Sequence, residues 1–205
     1  LYEMRPKVKT EAHKTKYLAE LVCSNSFRSD DKEYNAVGVL HEELRIADSL
    51  IMKCADHNKV PAGSALAVDR DNFSKEVNKT IKSIPNINII NQEVRSLDEF
   101  KNQRVIVSTG PLTSKTLTES IKIKTSENSL AFYDAIAPIV YEETINMSVA
   151  WKQSRYDKGN GDDYINCPLS KEEYYQFIEK IKKAPKMELK EFEDTPFFEG
   201  CMPIE

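Results

Sequence analysis

The alternation of apolar and polar positions divides the chain into a helix-led first part and a denser, strand-like second part. Within NAVGVLHEELRIADSLIMKCADHN, residues 35–58, the side chains Val39, Leu40, Leu44, Ile46, Leu50 and Ile51 recur near helical spacing. Acids come early and a lysine late, which suits the helix dipole, so the stretch predicts one amphipathic helix. DRDNFSKEVNKTIKSI sets Phe73, Val77 and Ile81 at four-residue steps and predicts another. The period then changes. NINIINQEV alternates like a strand, and RVIVSTGPL is a continuous apolar run into Thr109-Gly110-Pro111, the pattern of a buried parallel strand. A short helix follows over 114–123. Further on, LAFYDAIAPIVYEETI and VAWKQSRYDKG read as aromatic strands, with a hairpin turn at Gly159 to Asp163. SKEEYYQFIEKIKKA predicts a helix with Ser170 as N-cap and Glu173 closing a capping box.

The remaining stretches are less periodic. LYEMRP reads as the last step of a strand that delivers Glu3 into a turn at Pro6, and residues 7–16 as a polar loop. YLAELVCSNSF reads as a short apolar helix or turn, and FEDTPFFEGCMPIE as neither helix nor strand. This order predicts an α/β body over 1–125 carrying a β-rich inserted module over 126–205.

Composition narrows the class. Of 205 residues, 40% are hydrophobic and 30% charged, as in an ordinary soluble globular protein. No apolar run approaches the roughly 20 residues that cross a bilayer, so neither a membrane span nor a signal peptide is expected. The net charge of −4 argues against a nucleic-acid partner unless a local basic patch supplies the contact. Cys23, Cys54, Cys167 and Cys201 lie far apart with no C-x-x-C pair, which excludes a disulfide scaffold and a structural zinc site. A reducing cytoplasm is the expected compartment. His13, His41 and His57 form no ligand cluster, so no metal is expected.

Candidate chemistry sits at a few places, each with a plainer alternative. An acid at a strand end, such as Glu3, can accept hydrogen bonds from an adenosine ribose; it can equally be a surface residue. Thr109-Gly110 lets backbone approach a ligand closely, or is an ordinary strand exit. VPAGSALAVDR admits a flat ligand or packs a helix tightly. Cys54 and Cys167 read as structural, whereas Cys23 and Cys201 lie in loops beside small residues, where a thiol can be activated for nucleophilic attack. SRYDKG joins Arg155, Tyr156 and Lys158 in a loop suited to phosphate or base stacking, or to solvent.

In order along the chain, LYEMRP, AELVCSNSFR, VPAGSALAVDRDNFS, VIVSTGPLTS, FYDAIAPIV, SRYDKG, YINCPLSKEEY and FFEGCMPIE resemble the successive signatures of the folate- and FAD-dependent tRNA (uracil-5-)-methyltransferases, across essentially all 205 residues. The resemblance implies part of an FAD-binding Rossmann-like domain of the glutathione-reductase type with a β-rich α+β insertion domain. It also implies an internal piece of a longer flavoprotein that lacks the G-x-G-x-x-G turn and a C-terminal part, and that by itself binds FAD poorly.

The activity so implied is methylation of uridine carbon five in the tRNA T-loop, with methylenetetrahydrofolate as carbon source and NAD(P)H as reductant. Cys201 is the first choice for the reactive thiol, with Cys23 as acid/base partner or alternative nucleophile. Glu3 would meet the adenosine ribose, with Arg5 nearby, Val94 facing adenine, and Thr109 and Gly110 at a second close approach. Gly63, Ala65, Leu66 and Arg70 would line the flavin side, and Arg155 and Lys158 would meet RNA phosphate. Two other functions stay open: the same chemistry on ribosomal RNA, and a non-catalytic piece or split-protein half that acts as a binding module. The latter implies a second polypeptide supplying the missing parts.

Overall fold

The computed structural model describes residues 1–10, 12–22, 24–126 and 140–185. It is a mixed α/β chain with one parallel and several antiparallel ladders. Its contacts separate into two compact units, one holding described residues 1–22 and 74–126, the other 24–73 and 140–185. Each is discontinuous in sequence.

In the first unit, β1 (Tyr2–Glu3) and β5 (Ile90–Asn91) run parallel, pairing Tyr2 with Ile90 and Glu3 with Asn91. The Tyr2 ring stands edge-on to Phe100 with centroids 5.2 Å apart. Phe100 closes a 3₁₀ turn, Leu97–Phe100, held by a capping box between Ser96 and Glu99. Beyond it, α4 (Lys115–Thr125) starts where Ser114 caps the Leu117 N–H, and Leu117 is buried.

The second unit is built on an antiparallel sheet of β2 (Ser26–Ser29), β4 (Ala65–Val68) and β3 (Lys59–Val60), with β4 central. Ser26 pairs with Ala67 and Ser29 with Ala65, so β2 carries one extra residue, a bulge where Arg28 takes φ +73°. Leu66 and Val68 of β4 are fully buried; α2 (Leu50–His57), whose Met52, Cys54 and Ala55 complete the core, packs on β4, and α1 (Ala36–Ile46) packs on α2 and β2. Phe73, fully buried in α3 (Arg70–Ser83), meets Phe27 edge-on at 5.4 Å. The short antiparallel pair β6 (Trp151–Lys152) and β7 (Ile165–Asn166) is joined by a loop over 153–164 that contains the expected turn residues but also a 3₁₀ turn at Arg155–Asp157, so of VAWKQSRYDKG only Trp151–Lys152 is strand. α5 (Lys171–Lys183) begins at Ser170 with Glu173 completing its capping box.

Four expectations are corrected. The single helix over 35–58 is two, because Asp48 turns left-handed at φ +62° and the Ser49 hydroxyl caps a new start at Met52 N–H. RVIVSTGPL is not a buried strand: residues 104–109 join no ladder, and Ile106 is 91% exposed. With no strand beside it among the described residues, an apolar run has nothing to be buried against. Of NINIINQEV only Ile90–Asn91 is laddered. Of the two readings of YLAELV, helix or turn, the structure has the turn, with Ala19 at φ +55°. In the aromatic block, residues 142–144 form a 3₁₀ turn, not a strand; residues 127–139 lie outside the described residues. Among the described residues no helix is long and apolar enough to cross a membrane.

Candidate functional site

The carboxyl end of β1 opens on a cavity of about 650 Å³ within the first unit. Strand pairing puts Glu3 at its edge, and Asn91, which donates from Nδ2 to the Arg5 carbonyl at 2.6 Å, ties down the segment that follows. Arg5 turns back on Glu3: its backbone N–H and Nε–H both donate to Oε1 at 2.9 Å, and Nη2 donates to Oε2 at 3.0 Å. Its third nitrogen, Nη1, donates to Glu20 Oε2 at 2.8 Å. Arg5 is only 5% exposed, so these two carboxylates are its solvent. Burial pushes the Glu3 pKa up, but the hydrogen bonds and charge of Arg5 outweigh it and hold the carboxyl below its usual range. Burial likewise opposes the Arg5 charge, and Glu3 and Glu20 outweigh it to raise that pKa. His13 borders the same space; its Nδ1 lies 2.9 Å from Thr10 Oγ1, and burial followed by the Arg5 charge lowers its pKa.

Across the cavity, Val94 and the Thr109-Gly110 turn complete the wall. The Thr109 and Thr113 hydroxyls lie 2.6 Å apart, and Thr113 Oγ1 donates to the Gly110 carbonyl at 3.1 Å. Gly110 takes φ +66°, while a Cβ there would meet nothing within 4 Å, so backbone conformation rather than space calls for glycine.

A second cavity, of about 1010 Å³, lies within the other unit and is bordered by Gly63, Ala65, Arg155, Tyr156, Lys158 and Tyr164 among others. Here the loop between β6 and β7 docks on the 62–65 turn. Gly63 N–H donates to Asp163 Oδ2 at 2.6 Å, Tyr164 Oη donates to the Ala62 carbonyl at 2.6 Å, and Lys158 pairs with Asp31 at 2.7 Å. The Lys158 hydrogen bond is the main reason the Asp31 pKa is lowered. Arg155 lies over the Tyr156 ring, 5.1 Å from its centroid.

The structure therefore gathers Glu3, Arg5, Val94, Thr109 and Gly110 at one cavity, and Gly63, Ala65, Arg155 and Lys158 at the other. Leu66 is fully buried in β4, and Arg70 is exposed at the start of α3. Cys23 and Cys201 lie outside the described residues. Cys54 is buried as read, whereas Cys167 is exposed rather than packed in a core. Sequence reasoning missed Glu20, His13 and Asp31. Glu20 stands fifteen residues from Arg5 and Asp31 far from Lys158, with no periodicity linking either pair. Among the described residues no group of three or more His, Cys, Asp or Glu side chains is placed to hold a metal ion.

These features define a mixed α/β chain with a charged acid clamp at the mouth of a small-molecule-sized cavity, beyond the carboxyl end of a parallel strand pair. The chain belongs to the family described as glucose inhibited division protein A, whose model matches residues 1–205. It is 57% identical over 209 residues to the methylenetetrahydrofolate–tRNA-(uracil-5-)-methyltransferase TrmFO of Bartonella henselae, covering all of this chain and 44% of that protein. The protein of the same name from Bartonella bacilliformis is 57% identical over 209 residues and that from Brucella anthropi 56%, again across all of this chain and 45% and 44% of the relatives. The chain thus spans less than half the length of these curated relatives.

Proposed function

We propose that this chain forms part of a folate- and FAD-dependent RNA (uracil-5-)-methyltransferase acting on the T-loop uridine of tRNA, with NAD(P)H as reductant. The observation that carries the reading is the gathering of Glu3, Arg5, Val94, Thr109 and Gly110, scattered over more than a hundred residues, around one cavity. Its volume of about 650 Å³ falls in the range of small-molecule sites, about 300–1,000 Å³, and an ionised acceptor stands at its edge, so the residues present fit the adenosine end of FAD. The names of the relatives, which state methylenetetrahydrofolate and tRNA, support the same activity.

In this reading Glu3 accepts from the adenosine ribose, Val94 packs against adenine, and the Thr109-Gly110 turn lies close to the ligand backbone. Gly63, Ala65 and Arg70 belong to the flavin side, as the family resemblance implies, with Leu66, fully buried in β4, supporting that segment from the core rather than touching the ligand. When bound, FAD with methylenetetrahydrofolate supplies the one-carbon unit and the reducing electrons. The chain itself supplies the thiols: the Cys201 thiolate adds to uracil carbon six, which turns carbon five into a nucleophile, and Cys23 handles the proton or replaces Cys201 as nucleophile. Arg155 holds RNA phosphate with Lys158 beside it. The segment over 1–125 is the FAD-binding part and 126–205 the insertion facing RNA and folate; the described residues 140–185 of the latter share a compact unit with 24–73.

The test is covalent trapping with 5-fluorouridine-containing tRNA, using a protein of the relatives' full length. Wild type should form an adduct that survives denaturation, and Cys201→Ala or Cys23→Ala should abolish it. If both variants still form it, the thiol assignment is wrong.

A further inference from the structure

Glu3 has less to offer a ligand than its place at a strand end suggests. A carboxylate presents about four lone-pair sites, two on each oxygen. Arg5 fills three of them, two on Oε1 and one on Oε2, which leaves a single site on Oε2 among the described residues. Arg5 cannot swing clear, because Nη1 is held by Glu20 and its side chain is only 6% exposed. Glu20 is anchored in turn: its Oε1 accepts the backbone N–H of Lys14 at 2.9 Å and of Thr15 at 3.0 Å. A relay thus runs from the backbone at 14–15 through Glu20 and Arg5 to Glu3, and these three side chains border the same cavity.

We propose that Glu20 is a positioning residue that acts through Arg5, and that the relay restricts Glu3 to one hydroxyl of the adenosine ribose rather than the pair. The proposal rests on the FAD reading above and goes beyond it. A free carboxylate at this place can straddle a diol; a carboxylate gripped on both oxygens by one guanidinium cannot rotate to do so. One hydroxyl then carries the charge-assisted bond, and the other adds little.

The experiment uses a full-length protein containing this chain, freed of flavin and titrated by flavin fluorescence with FAD and with two analogues whose adenosine ribose lacks the 2′ or the 3′ hydroxyl. One analogue should bind about ten- to a hundred-fold more weakly than FAD and the other within about two-fold. Glu20→Gln keeps an oxygen for the Lys14 and Thr15 N–H groups but turns an amide toward Arg5. It should weaken FAD binding and narrow the gap between the two analogues, a change that a merely structural residue would not produce. Equal losses for both analogues overturn the single-hydroxyl claim, and a Glu20→Gln protein with the full gap overturns the positioning role. If FAD binds and neither analogue loses affinity, this proposal falls while the FAD reading stands. If FAD itself does not bind, both fall.

Discussion

At Glu3 and Asp30, burial and hydrogen bonding pull the carboxyl in opposite directions, and hydrogen bonding wins. For Asp30, burial raises the pKa, but Arg45 and His41 lower it further, with Arg45 Nη1 at 2.9 Å and His41 Nδ1 at 3.0 Å. A carboxyl whose folded pKa lies below its unfolded one stabilises the fold above the unfolded value, and that stabilisation is lost as pH falls through the folded value. His13 behaves oppositely in charge but alike in sign. Its folded pKa is depressed, so the unfolded chain takes up the proton first, and stability declines as pH falls below the ordinary histidine value of about 6.5. Urea midpoints should therefore hold steady above about pH 7, sag below about 6.5, and drop again in the carboxylate range below about 4.3. His13→Gln should remove the first sag and leave the second. A first sag of undiminished depth in that variant would contradict the assignment.

At the scale of elements, single residues decide where helices stop and how close they come. α1 ends because Asp48 leaves helical space and Ser49 offers its hydroxyl to the next start, a cap that average spacing over 35–58 does not reveal. α5 shows the reverse. Its Ser170–Glu173 box is local, so the pattern of the sequence was enough to place its start. Gly38, inside α1, is buried, and a Cβ built on it would collide with the Asp31 backbone, so the loop before the helix lies directly on it. Helix propensity alone favours alanine over glycine by about 1 kcal/mol. The collision should outweigh that, since overpacking typically costs about 1–3 kcal/mol. Gly38→Ala should lower the unfolding free energy in chemical denaturation, and a stabilised variant would show that the 31–38 approach is looser than described.

At the scale of the whole molecule, the two cavities collect residues that lie far apart in the chain. The two cations of SRYDKG have different surroundings: Lys158 is paired with Asp31 and helps seat its loop, while Arg155 stacks on Tyr156 at the cavity edge. On the function proposed above, Arg155→Ala in a full-length protein should weaken tRNA binding across sequences and reduce the slope of log affinity against log salt by about 1. Lys158→Ala should change that slope less, because its charge is already offset. Equal slope changes in the two variants would mean that the Asp31 pair opens when RNA arrives.

Local rules carried α3, α4, α5 and the β6–β7 hairpin, because four-residue apolar steps, a capping box and a glycine-rich turn each act over a few residues. The same rules misjudged RVIVSTGPL, since an apolar run reports readiness for burial and only a neighbouring strand supplies it. The order of motifs along the chain, read by itself, was enough to bring out the family. What tertiary structure alone decided is the company each acid and base keeps: Glu20 beside Arg5, Asp31 beside Lys158, and a Glu3 carboxylate held on both oxygens by Arg5. Such pairs form by chain reversal over fifteen to more than a hundred residues, and electrostatic attraction at 3 Å leaves no periodic trace in the sequence.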